Sequence, residues 1–344
     1  MGSQIITIRQ NVGIDVSKLT FIASMCSQNE EGVFNFGTPT TFSNNKTGFN
    51  QFVKWTMKQA VNDFPISFTM EATGVYHEAL AIHLHKLGYR VSIVLPNKMK
   101  YYAKSLNVKT KTDGVDARII ARMGVEQHLI SWIPPKLVYQ ELRSLTRYLQ
   151  DLKGQRLNIM NHLEAIVHSE FCADFVEKSY KKTLHTIELQ ITQCEKQIQK
   201  TIYKDEQLAG KVDKLLTITG VSLITIAIVV SETHGFDLFS SRKQLASYAG
   251  LDVVERQSGT TVHGKSHISR KGNSRIRNAL YFPAIVASRH NKPLNEDYLR
   301  IIQNKPYKKI GIIALQRKLL LLMFTLWKNN QTFNPDISLK KQTA

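Results

Sequence analysis

The first 130 residues alternate between short β-rich runs and stretches in which apolar residues recur at helical spacing. Apolar and β-branched residues dominate Asn11–Val16, Leu19–Cys26 and Val33–Phe42, which predicts three strands in such close succession that they pair as antiparallel neighbours. The pattern then predicts helix, strand, helix, strand and helix. In order, these are the stretch from Phe49 to Met57, Ile66–Met70, Val75–Leu87, Arg90–Leu95 ended by Pro96, and Asp113–Gln127.

The pattern changes after this region. From Pro134 to Gln207 the strand signals disappear, and Leu, Ile, Gln, Glu and Lys recur at helical spacing. This predicts two long helices, broken near residues 170–174, that form either a coiled-coil oligomerisation arm or a helical linker packed on its neighbours. From Val212 to Trp327, helical patterns flank a glycine-rich, basic centre.

Together these patterns predict an α/β fold followed by all-α segments. Residues 1–130 have the element order of a ribonuclease-H-like domain, with three strands followed by alternating helices and strands. We expect residues 131–210 to form the coiled-coil or linker helices, residues 211–330 a mainly helical domain, and residues 331–344 a disordered tail. A chain of 344 residues is long enough for two or three hydrophobic cores.

Two apolar runs raise the question of a membrane. Leu215–Val230 contains several Thr, Ser and Gly residues, and Leu319–Trp327 is only nine residues long. Both fall short of the roughly 18–20 apolar residues that a span needs, so we predict buried helices. The N-terminus lacks the pattern of a signal peptide, and three widely spaced cysteines make no disulfide framework. We expect a cytoplasmic protein.

The charge of the chain favours nucleic acid as a partner. Lys and Arg number 46 against 27 Asp and Glu, a net charge of +19. Between residues 242 and 318 there are 16 Lys or Arg and four Asp or Glu, so the positive charge is concentrated in the last third. Phosphate backbones bind such surfaces through counterion release. A membrane surface would call for a basic amphipathic helix or a lipidation signal, and the sequence has neither.

Four acidic residues stand where predicted elements begin or end. Asp15 lies in an apolar strand, where an uncompensated charge is costly to bury. Glu71 ends another core strand, at the edge where α/β sites collect. Asp113 and Asp116 share one helical face at the start of a helix. Each also has an ordinary explanation: Asp15 as a strand-end residue, Asp113 as a helix cap, and Asp116 as a favourable charge at a helix N-terminus.

Taken together, the four acids predict a metal site. In a protein this basic, an acidic pocket would repel phosphate unless divalent cations neutralised it. Carboxylate oxygens favour Mg²⁺ or Mn²⁺, and a pair of such ions suits phosphoryl transfer. We therefore expect Asp15, Glu71, Asp113 and Asp116 to be catalytic metal ligands.

A candidate nucleophile lies in the basic centre. Ser258 is followed by a glycine and surrounded by cations. A Ser-Gly pair in a loop is usually a turn, but a hydroxyl in this setting could attack a phosphodiester while arginines stabilise the transition state. The cations that we expect to contact nucleic acid are Lys18, Lys111, Arg118, Arg256, Lys265, Arg270, Lys271, Arg275 and Arg277.

Four segments in the same order resemble the DEDD transposases of the bacterial IS110 insertion-sequence family, which also includes Piv-type DNA invertases. They are GIDVSK, MEATGVY, KTDGVDARIIARM and QSG…HISRKGN…R…AL, and the resemblance spans roughly residues 11–327. It implies a RuvC-like N-terminal domain, a coiled-coil middle and a C-terminal transposase domain. Asp15, Glu71, Asp113 and Asp116 match the family's metal-binding acids, and Ser258 matches a serine that forms a covalent phosphoserine link to DNA.

The resemblance also implies partners. Family members pair dimers into tetramers, combine acids from one subunit with the serine of another, and act on donor and target DNA, in some cases guided by a structured bridge RNA. Two positions depart from the family pattern. Ser222 replaces the second glycine of a helix–hairpin–helix turn that contacts phosphate through its backbone, and Val253 stands where a proline is common.

The function predicted from these residues is that of a DNA transposase or site-specific recombinase. One alternative is a RuvC-like, structure-specific endonuclease, in which the acids alone hydrolyse DNA with water. Another is a nucleic-acid-binding protein without catalysis. Within the first prediction, the sequence leaves open whether the chain is a transposase or an invertase, because that difference lies in the DNA substrate.

Overall fold

A computed structural model describes residues 7–61, 64–72, 74–110, 112–255, 257–258, 262–264 and 266–335, with the backbone alone for residues 7, 8, 257, 258, 262 and 263. The chain divides into two compact units, Met1–Pro134 (unit 1) and Pro135–Ala344 (unit 2). Unit 1 is mixed α/β and unit 2 is mostly helical, as the sequence predicted. Cys26, Cys172 and Cys194 are free cysteines.

Unit 1 is built on a six-stranded sheet. Its strands are β1 (Thr7–Val16), β2 (Thr20–Asn29), β3 (Phe34–Phe36), β4 (Thr40–Ser43), β5 (Ile66–Glu71) and β6 (Arg90–Val94). The order is β3-β2-β1-β5-β6, and β4 also pairs with β2. The pairs among β1 to β4 are antiparallel, while β1, β5 and β6 run parallel. This arrangement confirms the predicted ribonuclease-H-like order.

Four helices belong to unit 1: α1 (Lys46–Gln59), α2 (Glu78–Lys86), α3 (Pro96–Ser105) and α4 (Asp113–Glu126). The structure differs from the prediction in two details. The strand expected over Val33–Phe42 is two short strands, and Gly37 between them donates its N–H to the Met25 carbonyl. Strand β6 does end just before Pro96, as predicted, but Pro96 also begins α3, a helix that the sequence pattern did not predict; in the first turn its missing N–H costs nothing.

The two faces of the sheet are covered differently. Alternate residues of β1 and β5, such as Ile14 and Met70, are fully buried in a cluster with side chains of α1 and α2. Successive side chains of a strand point to opposite faces, so Asn11, Gly13 and Asp15 face the other side. That side is covered by α4, which packs against β1, β2 and β5.

Unit 2 consists of eight helices and four short strands within its described residues. The helices are α5 (Leu137–Val167), α6 (Asp174–Tyr203), α7 (Glu206–Leu216), α8 (Leu223–Glu232), α9 (Arg242–Tyr248), α10 (Ser274–His290), α11 (Lys292–Ile302) and α12 (Lys308–Asn329). The strands are β7 (Val253–Val254), β8 (Gln257–Ser258), β9 (Val262–His263) and β10 (His267–Ile268).

The two long helices of unit 2 form an antiparallel hairpin. Thr201 hydrogen-bonds Glu141 near one end, Lys153 pairs with Glu195, and His162 stacks on Tyr180 near the other end. The break between the helices falls at residues 168–173, which confirms the predicted break near residues 170–174. One hydrophobic cluster extends from Tyr139 to Trp327, so the base of the hairpin shares a core with the helices that follow it.

The apolar runs of unit 2 lie in that core. Helix α12 is the one described helix that is long and apolar enough to cross a membrane, and 56% of its most apolar window is buried inside the protein. Leu319, Leu320 and Met323 of this helix are fully buried, as expected of a core helix. Ser222 serves as the N-cap of α8, because its hydroxyl accepts a hydrogen bond from the Thr225 N–H.

Candidate catalytic site and nucleic-acid interface

Asp15 and Glu71 lie at the carboxyl ends of two neighbouring parallel strands. The last paired residues of β1 and β5 are Ile14 and Met70, and the two acids follow one residue later on each strand. Both acids are half-buried. Because Ile14 and Met70 face α1 and α2, side-chain alternation directs Asp15 and Glu71 to the face that α4 covers.

The packing of α4 on β1 brings its first turn toward Asp15. A β-carbon on Gly13 would overlap backbone atoms of Ala117 and Ala121, and one on Gly124 would overlap the Asn11 side chain. The helix therefore runs opposite to β1. The two residues of strand from Gly13 to Asp15 span about 6.6 Å, and a helix covers the same distance with roughly four residues. That step leads from the contact at residues 117–121 to the turn that begins at Asp113.

The first turn of α4 carries the other two acids. Thr112 is the N-cap, with its hydroxyl accepting from the Val115 N–H, so the interpretation of Asp113 as the cap is wrong. Asp113 is exposed and Asp116 is half-buried. The partial positive charge of a helix N-terminus favours both carboxylates at this position.

The four acids thus lie at one edge of the sheet, but their side chains are not arranged as a preformed metal site. Among the residues that the structure describes, no group of three or more His, Cys, Asp or Glu is close enough to hold a metal ion. The donor set itself consists of carboxylates from two strand ends and one helix turn. Such hard oxygen ligands fit Mg²⁺ or Mn²⁺ and not a soft metal.

Ser258 lies in a short β-hairpin and not in a loop. The β7–β10 pair and the β8–β9 pair are nested, and Ser258 is the partner of Val262. Ser269 anchors the base of the hairpin, since its hydroxyl donates to the Asp252 carboxylate and its N–H donates to the Asp252 carbonyl at 2.9 Å. Only the backbone position of Ser258 is described, so the role of its hydroxyl as nucleophile stays a prediction.

The predicted nucleic-acid contacts fall into three groups. Lys18 and Arg118 of unit 1 are exposed, as are Arg270 and Lys271 of unit 2. Arg275 and Arg277, on α10, are half-buried. The remaining three lie outside the described residues, namely Lys111, Arg256 and Lys265.

Arg277 holds together the chain segments around the hairpin. Its Nη1 donates to the Ala249 carbonyl at 2.7 Å and to the Gly272 carbonyl at 3.1 Å. Burial and the nearby charge of Arg270 lower the pKa of Arg277 below its usual value. These contacts link the end of α9 to the segment before α10, so Arg277 has a structural role that the sequence prediction missed.

A buried carboxylate, Glu232, organises the start of α10. Its side chain is 2% exposed and accepts from Arg147 at 2.7 and 3.0 Å and from Asn273 at 2.8 Å, while Arg275 lies 3.8 Å away. Burial would raise the pKa of Glu232, but these hydrogen bonds and charges hold it below its usual range. Asn273 is also the N-cap of α10. The network therefore fixes the helix that carries Arg275 and Arg277.

This network was not predicted from the sequence. The available signal was a charged residue, Glu232, at the end of the otherwise apolar run Leu223–Val230. Nearby, burial and Arg143 lower the pKa of His234 to about 4, so this histidine is neutral at physiological pH and adds no cation to the surface.

Known proteins resemble almost the whole chain. A family model described as "Transposase", of the DEDD type named for IS110, matches residues 12–172, and one described as "Transposase IS116/IS110/IS902 family" matches residues 212–299. The pilin gene-inverting protein of Moraxella bovis is 31% identical over 95% of this chain and 98% of its own length. A probable family 20 transposase of Pseudomonas aeruginosa is 24% identical over 79% and 86%. A solved structure of Thermus thermophilus RuvC is 13% identical over 37% of this chain and 84% of that one, with a TM-score of 0.24.

Proposed function

This chain belongs to the IS110 family of transposases and DNA recombinases, and we propose that it cuts and rejoins DNA with carboxylate-bound divalent cations and a serine nucleophile. The observation that best supports this chemistry is the convergence of three elements at one sheet edge. Asp15 and Glu71 end adjacent parallel strands, and the α4 turn with Asp113 and Asp116 comes over the same face.

In this proposal, Asp15, Glu71, Asp113 and Asp116 hold one or two divalent cations. When bound, Mg²⁺ or Mn²⁺ neutralises the phosphate and stabilises the charge of the transition state. The protein side of this task is to keep four like charges near one another. The N-terminus of α4 serves that purpose, since the helix dipole offsets part of the repulsion.

Ser258 supplies the covalent step of the proposal. The Ser258 hydroxyl gives up its proton as its oxygen attacks the phosphorus of the scissile phosphodiester and forms a serine–phosphate bond. The bond from phosphorus to the leaving sugar oxygen breaks, and that oxygen takes up a proton, so the step is balanced. A sugar hydroxyl of the new partner strand then attacks the same phosphorus and releases the serine. The number of phosphodiester bonds is conserved, so no external energy source is needed.

The partners follow from this chemistry. Donor and target DNA bind through the positive charge of the chain, most of which lies between residues 242 and 318. We include in the proposal a structured bridge RNA as guide, a dimer or tetramer as the active assembly, and a place of action at the nucleoid. Helices α5 and α6 are the candidate oligomerisation arm.

A trapping experiment tests the serine. The full chain is incubated with end-labelled element DNA and Mg²⁺, quenched with denaturant, and examined for a DNA-linked protein band. We expect the band with the native chain and its loss in Ser258→Ala, while Ser266→Ala in the same segment retains it. A full-strength adduct from Ser258→Ala, with unchanged DNA binding and melting temperature in both variants, would contradict the assignment.

The same experiment separates the alternative functions. A RuvC-like endonuclease would release free DNA ends without an adduct, and Ser258→Ala would leave cleavage intact. A transposase and a Piv-type invertase differ only in the arrangement of the DNA. The 31% identity to the Moraxella bovis protein favours testing inverted and direct repeats of the same sites side by side.

A further inference from the structure

An exposed apolar rim lies along the sheet edge that carries the acids. We define this rim as Leu19, Val75, Tyr76 and Leu95, which are 75%, 61%, 41% and 59% exposed. Leu19 lies in the turn between β1 and β2, Val75 and Tyr76 follow β5, and Leu95 follows β6. All four therefore lie at the carboxyl edge of the parallel strands. Large apolar side chains gathered on a surface mark a contact site more often than chance exposure does.

Hydrogen bonds hold part of this rim in a defined place. The Asn44 amide donates to the Ser17 carbonyl at 2.9 Å and to the Tyr76 carbonyl at 3.1 Å. This side chain therefore joins the turn after Asp15 to the segment after Glu71. The Tyr76 ring lies beside Gly74, where a β-carbon would be in ordinary van der Waals contact with it. The tyrosine is thus positioned by the same turns that carry the acids.

Positive charge accompanies the rim. Lys18 precedes Leu19, and Lys98 lies in the first turn of α3 just after Leu95; both are exposed. An aromatic ring flanked by lysines is the chemistry of single-strand nucleic-acid binding, in which cations track the backbone and rings stack on bases. Lysine is depleted in protein–protein interfaces relative to the rest of the surface, so the lysines favour nucleic acid over a protein partner. This edge of the sheet offers both features beside the acids.

We propose that Tyr76 stacks on an unpaired base of the DNA strand that is being cut, next to the phosphate served by the acids. Leu19, Val75 and Leu95 exclude water around that base, and Lys18 and Lys98 contact its flanking phosphates. This inference rests on the proposed function, because it takes the sheet edge to be the site of cleavage. It adds that the DNA is locally unpaired when it occupies this edge.

Binding of simple oligonucleotides tests the stacking without requiring strand exchange. The full chain is titrated with fluorescein-labelled thymidine 15-mers and with abasic 15-mers of equal charge. Backbone contacts elsewhere on the chain contribute alike to both, so the ratio of the two affinities isolates base contacts. We expect Tyr76→Ala to reduce that ratio by roughly tenfold, because one base–aromatic stack has about that effect. Tyr76→Phe keeps the ring and should keep the ratio.

Phe36→Ala is the matched control. Phe36 is 41% exposed, as Tyr76 is, but it lies on β3 opposite Cys26, level with Asn11 of β1 and not with Asp15, and no Lys or Arg lies within four residues of it. Phe36→Ala should leave the ratio of the two affinities unchanged. Photocrosslinking of 5-iodouracil oligonucleotides should identify the peptide with Tyr76.

The inference is overturned if Tyr76→Ala leaves the ratio of the two affinities unchanged, which includes the case in which it weakens the binding of both oligonucleotides equally. A change confined to sedimentation, with unaltered oligonucleotide binding, would instead assign the rim to a second copy of the chain and would also overturn it. Failure of the serine assignment is seen separately, in the trapping experiment, because the affinity ratio of the two oligonucleotides does not depend on adduct formation.

Discussion

Gly13 of β1 packs directly on the backbone of α4 at Ala121, where no side chain fits. This contact sets the distance between strand and helix, and it lies one strand alternation before Asp15. The spacing of the acids therefore depends on a residue that carries no chemistry of its own.

We expect Gly13→Ala to destabilise unit 1 and to disturb the acids. Overpacking of a close contact costs about 1–3 kcal/mol, and here the methyl group would meet backbone, which cannot rotate away. The melting temperature should fall by several degrees, and strand exchange should fall further than stability explains. Gly154→Ala in α5 is the control, since nothing lies within 4 Å of its β-carbon and alanine favours a helix by about 0.5–1 kcal/mol. A Gly13→Ala chain as stable and active as the native one would refute the packing argument.

We expect chelation to stop strand exchange and Mg²⁺ or Mn²⁺ to restore it. Asp15→Asn and Glu71→Gln should lower the rate by roughly a hundredfold or more, because bound cations supply several kcal/mol of transition-state stabilisation. Glu31→Gln, an exposed acid in the turn after β2, should have no effect. The measurement is the rate of recombinant product formation over a range of metal concentrations. Full activity of Asp15→Asn in chelator would show that the acids hold no catalytic metal.

We expect Arg270 and Arg277 to behave differently despite their similar positions in the sequence. Arg270 is exposed, so Arg270→Gln should reduce the slope of log affinity against log salt by about 0.9 without changing the melting temperature. Arg277 donates to two backbone carbonyls, so Arg277→Gln should lower the melting temperature. DNA-binding titrations at several salt concentrations, paired with thermal unfolding, measure both effects. If both variants changed the salt dependence and the melting temperature alike, Arg270 and Arg277 would not have the separate DNA-binding and structural roles assigned to them.

We expect the contribution of Glu232 to stability to depend on pH. The pKa of this carboxyl is lowered in the folded chain from its ordinary value of 4.5, so its stabilisation is present above that pH and is lost as the pH falls through the folded value. At pH 7, Glu232→Gln should reduce the free energy of unfolding by about 1–3 kcal/mol.

The difference in free energy of unfolding between the native chain and Glu232→Gln should shrink as the pH falls below 4.5. Glu188→Gln is the control, because Glu188 pairs with Arg156 on the surface at 3.3 Å, where ion pairs contribute about 0–1 kcal/mol. Urea unfolding at several pH values measures both variants. A constant difference across the pH range would exclude ionised Glu232 as the source of the stabilisation.

Most elements of unit 1 could be predicted because their signals are local. Alternating apolar residues define β1 and β5, and the carboxyl ends of parallel strands meet at one edge, so Asp15 and Glu71 were expected together. The errors occurred where a local signal has two meanings. Pro96 follows the end of β6 and also starts α3, and this second role depends on Met99 and Tyr102 finding partners on α4.

The sequence of this protein by itself determined the element types, the two kinds of architecture and the positions of the acids along the chain. These depend on periodicity, on turn residues and on charge, which act over a few neighbouring residues. Only the tertiary structure decided that Gly13 meets Ala121, that Asn44 joins the turns beyond Asp15 and Glu71, that Ser258 lies in a hairpin, and that Glu232 binds Arg147 and Asn273. Each of these contacts joins residues distant in the chain, and the free energy that selects them comes from packing and buried charge, which no local pattern records.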